Sequence, residues 1–366
     1  MIYFDYAATS KKRKYLLEQV LDNFDDFNGN PDSQHAYGRR AKKILEESRA
    51  KIASSINASP DEIIFTSSAS ESNNMVINNF DGEDIEIISS KIEHPSVLNT
   101  LSFTDSKVIL IDANKDGLVS LDDIGSSITD KTKLISLMFV NNETGVIQDV
   151  NRVRDLIGHR DIWYHVDAVQ AYGHIDIDVK EIGCDSLSLS GHKIGGLNGI
   201  GVLYLRKRLK SLIHGGNQEK KRRAGTSYVM GAYTMAESIA PCINERKKIR
   251  NIKSSLIKKL DEEAIVYEIN GDVNISSDHI LNLYLPFVKS DFLITYLDMN
   301  GICASTGSAC TAGSLEPSHV LGNMYDSHRA NHSIRFSFGF DNEIEELDQL
   351  VDILKELQER MLNEGK

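Results

Sequence analysis

The sequence predicts an α/β fold, with a mainly parallel, doubly wound sheet in a large domain and a smaller α+β domain after it. Three observations predict it. From about residue 60 to 205, short apolar runs alternate with longer stretches of helical period. Most of those runs lack the apolar–polar alternation of a half-exposed strand, as strands covered on both faces do. Finally, 366 residues correspond to about two domains at roughly 150 residues each.

In chain order, the strand-like runs are 63–65, 85–88, 108–111, 134–139, 162–166, 187–189 and 200–205. Amphipathic stretches at 70–80 and 149–159 are long enough for helices, and strands joined by helices make a parallel sheet. A second region starts near residue 245. Its segment 246–259 is basic, with Ile249, Ile252, Leu256 and Leu260 at helical spacing, and reads as a solvated helix face or a dock for an acidic partner. Further strands are expected at 280–285 and 333–338. The last helix should start at Asn342 with Glu345 as a capping box, its stripe formed by Ile344, Leu347, Leu350, Val351, Leu354 and Leu357. The expected large domain is 13–245, and the small one combines 1–12 with 246–366.

Composition narrows the function. Against 53 acidic side chains stand 41 Lys and Arg, a net charge of −12, which argues against nucleic acid and anionic membranes as direct partners. No apolar run approaches the roughly eighteen residues of a membrane span, and the start has no basic-then-apolar leader. Cys184, Cys242, Cys303 and Cys310 form no CxxC pair, so a cytoplasmic protein with reduced thiols is expected. Residues 112–123 resemble a calcium loop, but a strand-like run precedes them where a helix is needed, so they read as a surface turn.

Ligands of doubly wound sheets bind beyond the carboxyl ends of the strands. Lys193 follows run 187–189 in Ser190-Gly191-His192-Lys193. A lysine there is either solvated or partly desolvated, and the second state suits imine formation with a carbonyl. Asp167 ends run 162–166, where it closes the strand or faces a cationic partner. Ser68 and Glu71 make a capping-box spacing after run 63–65, which is an ordinary cap or a phosphate site. Pyridoxal 5′-phosphate needs all three groups: an amine, an acid for its ring nitrogen and a helix start for its phosphate. They fall after consecutive strands on one edge. His94 follows the next run and could face such a ring. Cys310 lies in a run of small residues from Ala304 to Ser314 with no apolar period, which predicts an exposed loop suited to a travelling nucleophile.

These residues carry a family likeness. The chain resembles the NifS/IscS-like cysteine desulfurases, within the class V, fold-type I pyridoxal-phosphate enzymes. The matching segments run from Phe4-Asp5-Tyr6-Ala7-Ala8-Thr9 to Ser333-Ile334-Arg335-Phe336-Ser337. Between them are Gly29-Asn30-Pro31, Glu93-His94, Asn141-Asn142-Glu143, His165-Val166-Asp167-Ala168, Ser190-Gly191-His192-Lys193, Ala224-Gly225-Thr226, Gly307-Ser308-Ala309-Cys310 and Leu315-Glu316-Pro317-Ser318-His319-Val320-Leu321.

The resemblance implies a set of roles. Lys193 would hold the cofactor aldehyde and shuttle the substrate Cα proton. Asp167 would keep the ring nitrogen protonated, His94 would stack on the ring, and Gln170 would bond its phenolic oxygen. Ala69, Ser70, Ser190 and His192 would hold the phosphate, joined by Thr226 from the second subunit of a homodimer. Arg335 with Asn142 would clamp the carboxylate of L-cysteine. Cys310 would take the sulfur as a persulfide, releasing alanine, and pass it to a protein acceptor for tRNA thiolation or iron–sulfur assembly. Selenocysteine lyase and class V aminotransferase are the alternatives on the same fold.

Four departures from the family pattern stand out. Ser70 replaces Thr but keeps the hydroxyl. The stretch 195–199 lacks an aromatic and a proline, which should leave its backbone less fixed. Residues 215–219 replace a Gly-Gly-His-Glu ending. The chain also stops soon after the last helix, whereas members serving iron–sulfur scaffolds often carry a longer tail. The resemblance to those members is weaker on this point, and tRNA thiolation through a sulfur-carrier enzyme stays open beside iron–sulfur assembly.

Overall fold

The computed structural model describes residues 1–307 and 317–364, with side chains described as far as residue 361. Strand β1 (Ile2–Tyr3) opens the chain. Then β2 (Ile63–Thr66), β3 (Glu86–Ser90), β4 (Lys107–Ile111), β5 (Thr132–Met138), β6 (Trp163–Asp167), β7 (Ser186–Ser190) and β8 (Gly201–Leu205) build one sheet in the order β2-β8-β7-β6-β5-β3-β4. Neighbours from β7 through to β4 are parallel, while β8 runs antiparallel to both β7 and β2. Every residue of β2, β3, β7 and β8 is buried, which fits the absence of alternation in β2 and β8; β7 reads Ser-Leu-Ser-Leu-Ser and is buried on both faces all the same.

The antiparallel β8 makes one correction. Because β8 reverses direction twice over, β2 points the same way as β6 and β7, and all three end on one edge. Yet β2 is the outer strand with β8 between it and β7, so the three strand ends are not consecutive neighbours.

Beyond residue 262 come β9 (Glu268–Ile269), β10 (Ile280–Tyr284), β11 (Ile302–Cys303) and β12 (Ser333–Ser337). The order β12-β10-β9 forms a small antiparallel sheet, and β1 pairs in parallel with β11. The amino terminus is thereby tied to the end of the chain, and Ile2 and Phe4 pack with Leu281, Phe336 and Leu354 in a second apolar core.

Helices depart further from expectation. The basic segment 246–259 belongs to one 34-residue helix, Val229–Glu262, with Pro241 inside it. Met235, Ile239 and Cys242 serve the first core, whereas Ile249, Ile252, Leu256 and Leu260 serve the second. The expected boundary at 245 therefore falls within a continuous rod. Its basic face is neither bare nor free: Arg246 pairs with Asp176, Lys248 with Glu343, Arg250 with Asp278 and Lys259 with Asp348. The stretch 149–159 yields a 3₁₀ turn at Val150–Arg152 and a helix of only five residues, Val153–Ile157, stopped by Gly158 at φ +58°. The last helix runs Glu346–Glu364, later than its sequence suggests. Glu346, not Glu345, accepts the N–H of Glu343, and Ile344 is exposed rather than part of the stripe.

Candidate functional site

At the carboxyl edge of the sheet is a cavity of about 150 Å³. Its wall includes Ala69, Ser70, His94, Asn142, Asp167, Gln170, Ser190, His192 and Lys193. Thr226 is exposed and lines a separate groove with Ser67 and Arg223. Cys310 lies outside the described residues.

Lys193 closes a single 3₁₀ turn, Gly191–Lys193, that follows β7. Its Nζ donates to the carbonyls of Ala7 at 2.6 Å and Ala8 at 2.9 Å, which the pairing of β1 with β11 brings into place. The following backbone, expected to be less fixed for want of an aromatic and a proline, is tied by hydrogen bonds. Gly196 N donates to Gly191 O, Leu197 N donates to Thr234 Oγ1, and Arg13 N donates to Gly195 O. A Cβ on Gly196 would sit 3.0 Å from Gly191 O and 3.2 Å from the Met235 backbone, so this close turn requires glycine.

Asp167, the last residue of β6, is buried. Its Oδ2 accepts from Asn73 Nδ2 at 2.8 Å and its Oδ1 from Val169 N at 3.0 Å. Both donors are neutral amides, and the ion pairs among the described residues do not include Asp167. Asn73 also donates to Ser96 Oγ at 2.9 Å, and that hydroxyl lies 2.9 Å from His94 Nδ1. A polar chain thus links the acid to the histidine.

His94 caps the helix Pro95–Ser102, where its Nδ1 accepts from Ser96 N at 3.1 Å. Burial lowers its pKa most; Lys193 and His319 push the same way, and Asp167 opposes them. The ring is therefore neutral at pH 7. Burial also pulls His192 down to about 3, aided by Lys193 and Lys12.

At the end of β2, Ser68 caps the nine-residue helix Ala69–Ile77 by accepting from Glu71 N at 3.2 Å. The return bond goes elsewhere than a capping box requires. The Glu71 carboxylate accepts from Ser67 N at 2.7 Å and pairs with Arg223 at 2.9 Å. Ala69 and Ser70 lie in the first turn, whose N–H groups have no helical acceptor and carry the positive end of the dipole.

Gln170 donates from Nε2 to Ala7 O at 2.9 Å and accepts at Oε1 from His279, 3.1 Å away. Asn142 lines the cavity, whereas Arg335 is not among the residues of its wall. Arg335 is buried and donates to Asn142 O, Asp5 Oδ1 and Ser305 Oγ, at 2.7, 3.0 and 2.6 Å. Its buried Nε has no partner among the described residues. Sequence reasoning missed Asn73 and the Ala7 and Ala8 carbonyls. A signal for Asn73 existed, an amide on the buried face of a short helix, but nothing in the sequence points a backbone carbonyl at a lysine.

The model of the class V aminotransferase family matches residues 2–350. The chain belongs to that family. Within it, this class V enzyme groups with the cysteine desulfurases. It is 40% identical to the putative cysteine desulfurase IscS 1 of Bacillus subtilis, over 97% of this chain and 99% of that one. It is 37% identical to the cysteine desulfurase IscS of Dictyoglomus turgidum, over 98% and 95%. Among solved structures, a NifS-like protein superposes with a TM-score of 0.89 at 31% identity, covering 97% of this chain and 98% of that one. The structure titled SspA in complex with cysteine gives 0.83 at 32%, covering 92% and 99%. Both families are pyridoxal-phosphate enzymes.

Proposed function

We propose that this cysteine desulfurase holds pyridoxal 5′-phosphate in the cavity and moves sulfur from L-cysteine to Cys310. The observation that carries the reading is that Asp167 and Lys193 line the same cavity. A buried carboxylate given only amide donors is costly unless a cation arrives, and a protonated ring nitrogen is such a cation. Lys193 offers the amine, and the first turn of helix Ala69–Ile77 offers N–H groups for a phosphate, with Ser70, Ser190 and His192 beside it. The residues present fit the group.

When bound, the cofactor supplies an aldehyde for amines and a ring that takes up electron density from the substrate. Asp167, held by the Asn73 amide, would keep a proton on the ring nitrogen. Lys193 would move the substrate Cα proton. His94, kept neutral, accepts a proton near the substrate sulfur. Asn142 and Arg335 bind the substrate carboxylate, which takes the place that Asp5 holds at the guanidinium. The Cys310 thiolate would attack the substrate sulfur: a sulfur–sulfur bond forms as the carbon–sulfur bond breaks, the electron pair of the broken bond stays with the substrate carbon, that carbon takes up a proton, and alanine leaves.

Thr226, exposed and off its own cavity, suits a phosphate contact made across a homodimer. The separate apolar cores support a division into 13–245 and 1–12 with 246–366, hinged along helix Val229–Glu262. A cytoplasmic location fits the free thiols of Cys184, Cys242 and Cys303, and no helix among the described residues is long and apolar enough to cross a membrane. The acceptor is a protein of tRNA thiolation or iron–sulfur assembly. The test is Cys310→Ala: sulfide release from L-cysteine should fall to background while the cofactor's visible absorbance stays. Full activity would reject the nucleophile.

A further inference from the structure

Two histidines beside the cavity have no part in that scheme. His174, four residues after Gln170, and His279, just before β10, stack face to face with ring centroids 3.6 Å apart and planes 9° from parallel. They come from opposite halves of the chain, and His279 is buried.

The hydrogen bonds around His279 leave one arrangement. Gln170 Oε1 can only accept, so His279 Nε2 carries the proton and donates to it. His279 Nδ1 then accepts from Ser277 Oγ at 2.5 Å. With its oxygen so engaged, Gln170 turns Nε2 to Ala7 O at 2.9 Å, the same carbonyl that accepts from Lys193. The second N–H of Gln170 remains for the cavity that it lines. Flipping the amide would set two N–H groups against each other at His279 and two oxygens against each other at Ala7.

The surroundings guard this state. Burial drives the His279 pKa well below its ordinary value, and His174, Lys253, Arg335 and Lys193 add to it. Lys253, buried on the long helix, donates to Ser277 O and Ser276 Oγ. The Lys193 backbone also acts on the His174 ring, so the stack lies between Gln170 and the Lys193 turn.

We infer that His279 is a positioning residue: it holds Gln170 with an N–H group toward the cavity, which selects a ligand bearing an oxygen acceptor there, and His174 braces it against the Lys193 turn. The inference rests on the proposed cofactor reading and adds the group that sets the polarity of one wall.

The test uses the full-length protein, stripped of cofactor and titrated with pyridoxal 5′-phosphate by visible absorbance. His279→Leu should weaken binding about tenfold, the loss of one aligned donor, and move the absorbance maximum. His279→Gln, which keeps an N–H at similar reach, should recover affinity to within about threefold. In a Gln170→Ala background, His279→Leu should cost nothing more, because it acts through that amide. Melting temperatures report whether each variant is folded. If the leucine variant does not fold, Ser277→Ala, which frees the ring to take the other tautomer, should still weaken binding about threefold.

Unchanged affinity and absorbance in these single variants, or losses that multiply in the double variant, would overturn the inference while the cofactor reading stands. A wild-type protein that takes up no cofactor would overturn both.

Discussion

The two ends of the central sheet each bury a carboxylate, and they treat it differently. At the amino end, Asp185 sits just before β7, accepts from Tyr164 N, and pairs with Arg154 at 2.6 Å and with Arg206. Burial works to raise its pKa, but those bonds outweigh it and leave the carboxyl below its usual range. At the carboxyl end, Asp167 is as deeply buried and receives only amide donors. The difference separates structure from function: a buried charge with its counter-charge built in holds the fold, and one without it beside a cavity awaits a ligand.

The carboxyl end is the place to break this contrast hardest. Lys193→Ala should lower L-cysteine turnover by at least about a thousandfold and let the cofactor wash away on gel filtration. Turnover within tenfold of wild type would remove the amine from the scheme.

A paired comparison sharpens it. Asp167→Asn should cost about a hundredfold in kcat/KM yet leave the cofactor-free protein equally or more resistant to urea, since an uncompensated buried charge is gone. Asp185→Asn should do the reverse. It should lose about 2 kcal/mol of stability, moderated by the partial exposure of both arginines, with activity within about threefold. Equal stability losses in the two variants would erase the distinction.

The remaining test is in pH. His165, buried in β6, is held by burial at about 4, below the ordinary histidine value of about 6.5. Between those values the unfolded chain binds a proton that the fold refuses, so stability falls as pH drops through that window. The slope is at most about 1.4 kcal/mol per unit for one such group. Asp185 acts later: its contribution is present above the unfolded carboxylate value of about 4 and is lost as pH falls through its lower folded value. Urea midpoints should therefore begin to drop near pH 6.5. A flat profile down to pH 5 would contradict the neutral, buried state of His165 and the neutral state of other histidines that burial pulls down, His94, His192 and His279.

Much of the cavity wall is legible in the sequence because a strand end is a local signal. Lys193, Asp167 and the Ser68 cap each follow a short apolar run, and the sheet brings those ends together. The long helix Val229–Glu262 is far less legible. Pro241 interrupts its pattern, and its first half buries small residues such as Gly231, Ala232 and Ser238, which carry little apolar period. Its last half, with Ile249, Ile252 and Leu256 spaced for a helix, is readable.

Sequence alone determined the layer architecture, the edge where chemistry would sit, and the amine and acid that bound the cavity. Apolar period and chain punctuation act over a few residues, and those few residues stand next to one another in the text. Only the tertiary structure decided that Asn73 orients Asp167, that Ala7 and Ala8 accept from Lys193, and that His279 reaches Gln170 from 109 positions away. Such bonds depend on direction and on distances of about 3 Å between remote segments, which no local pattern of hydropathy encodes.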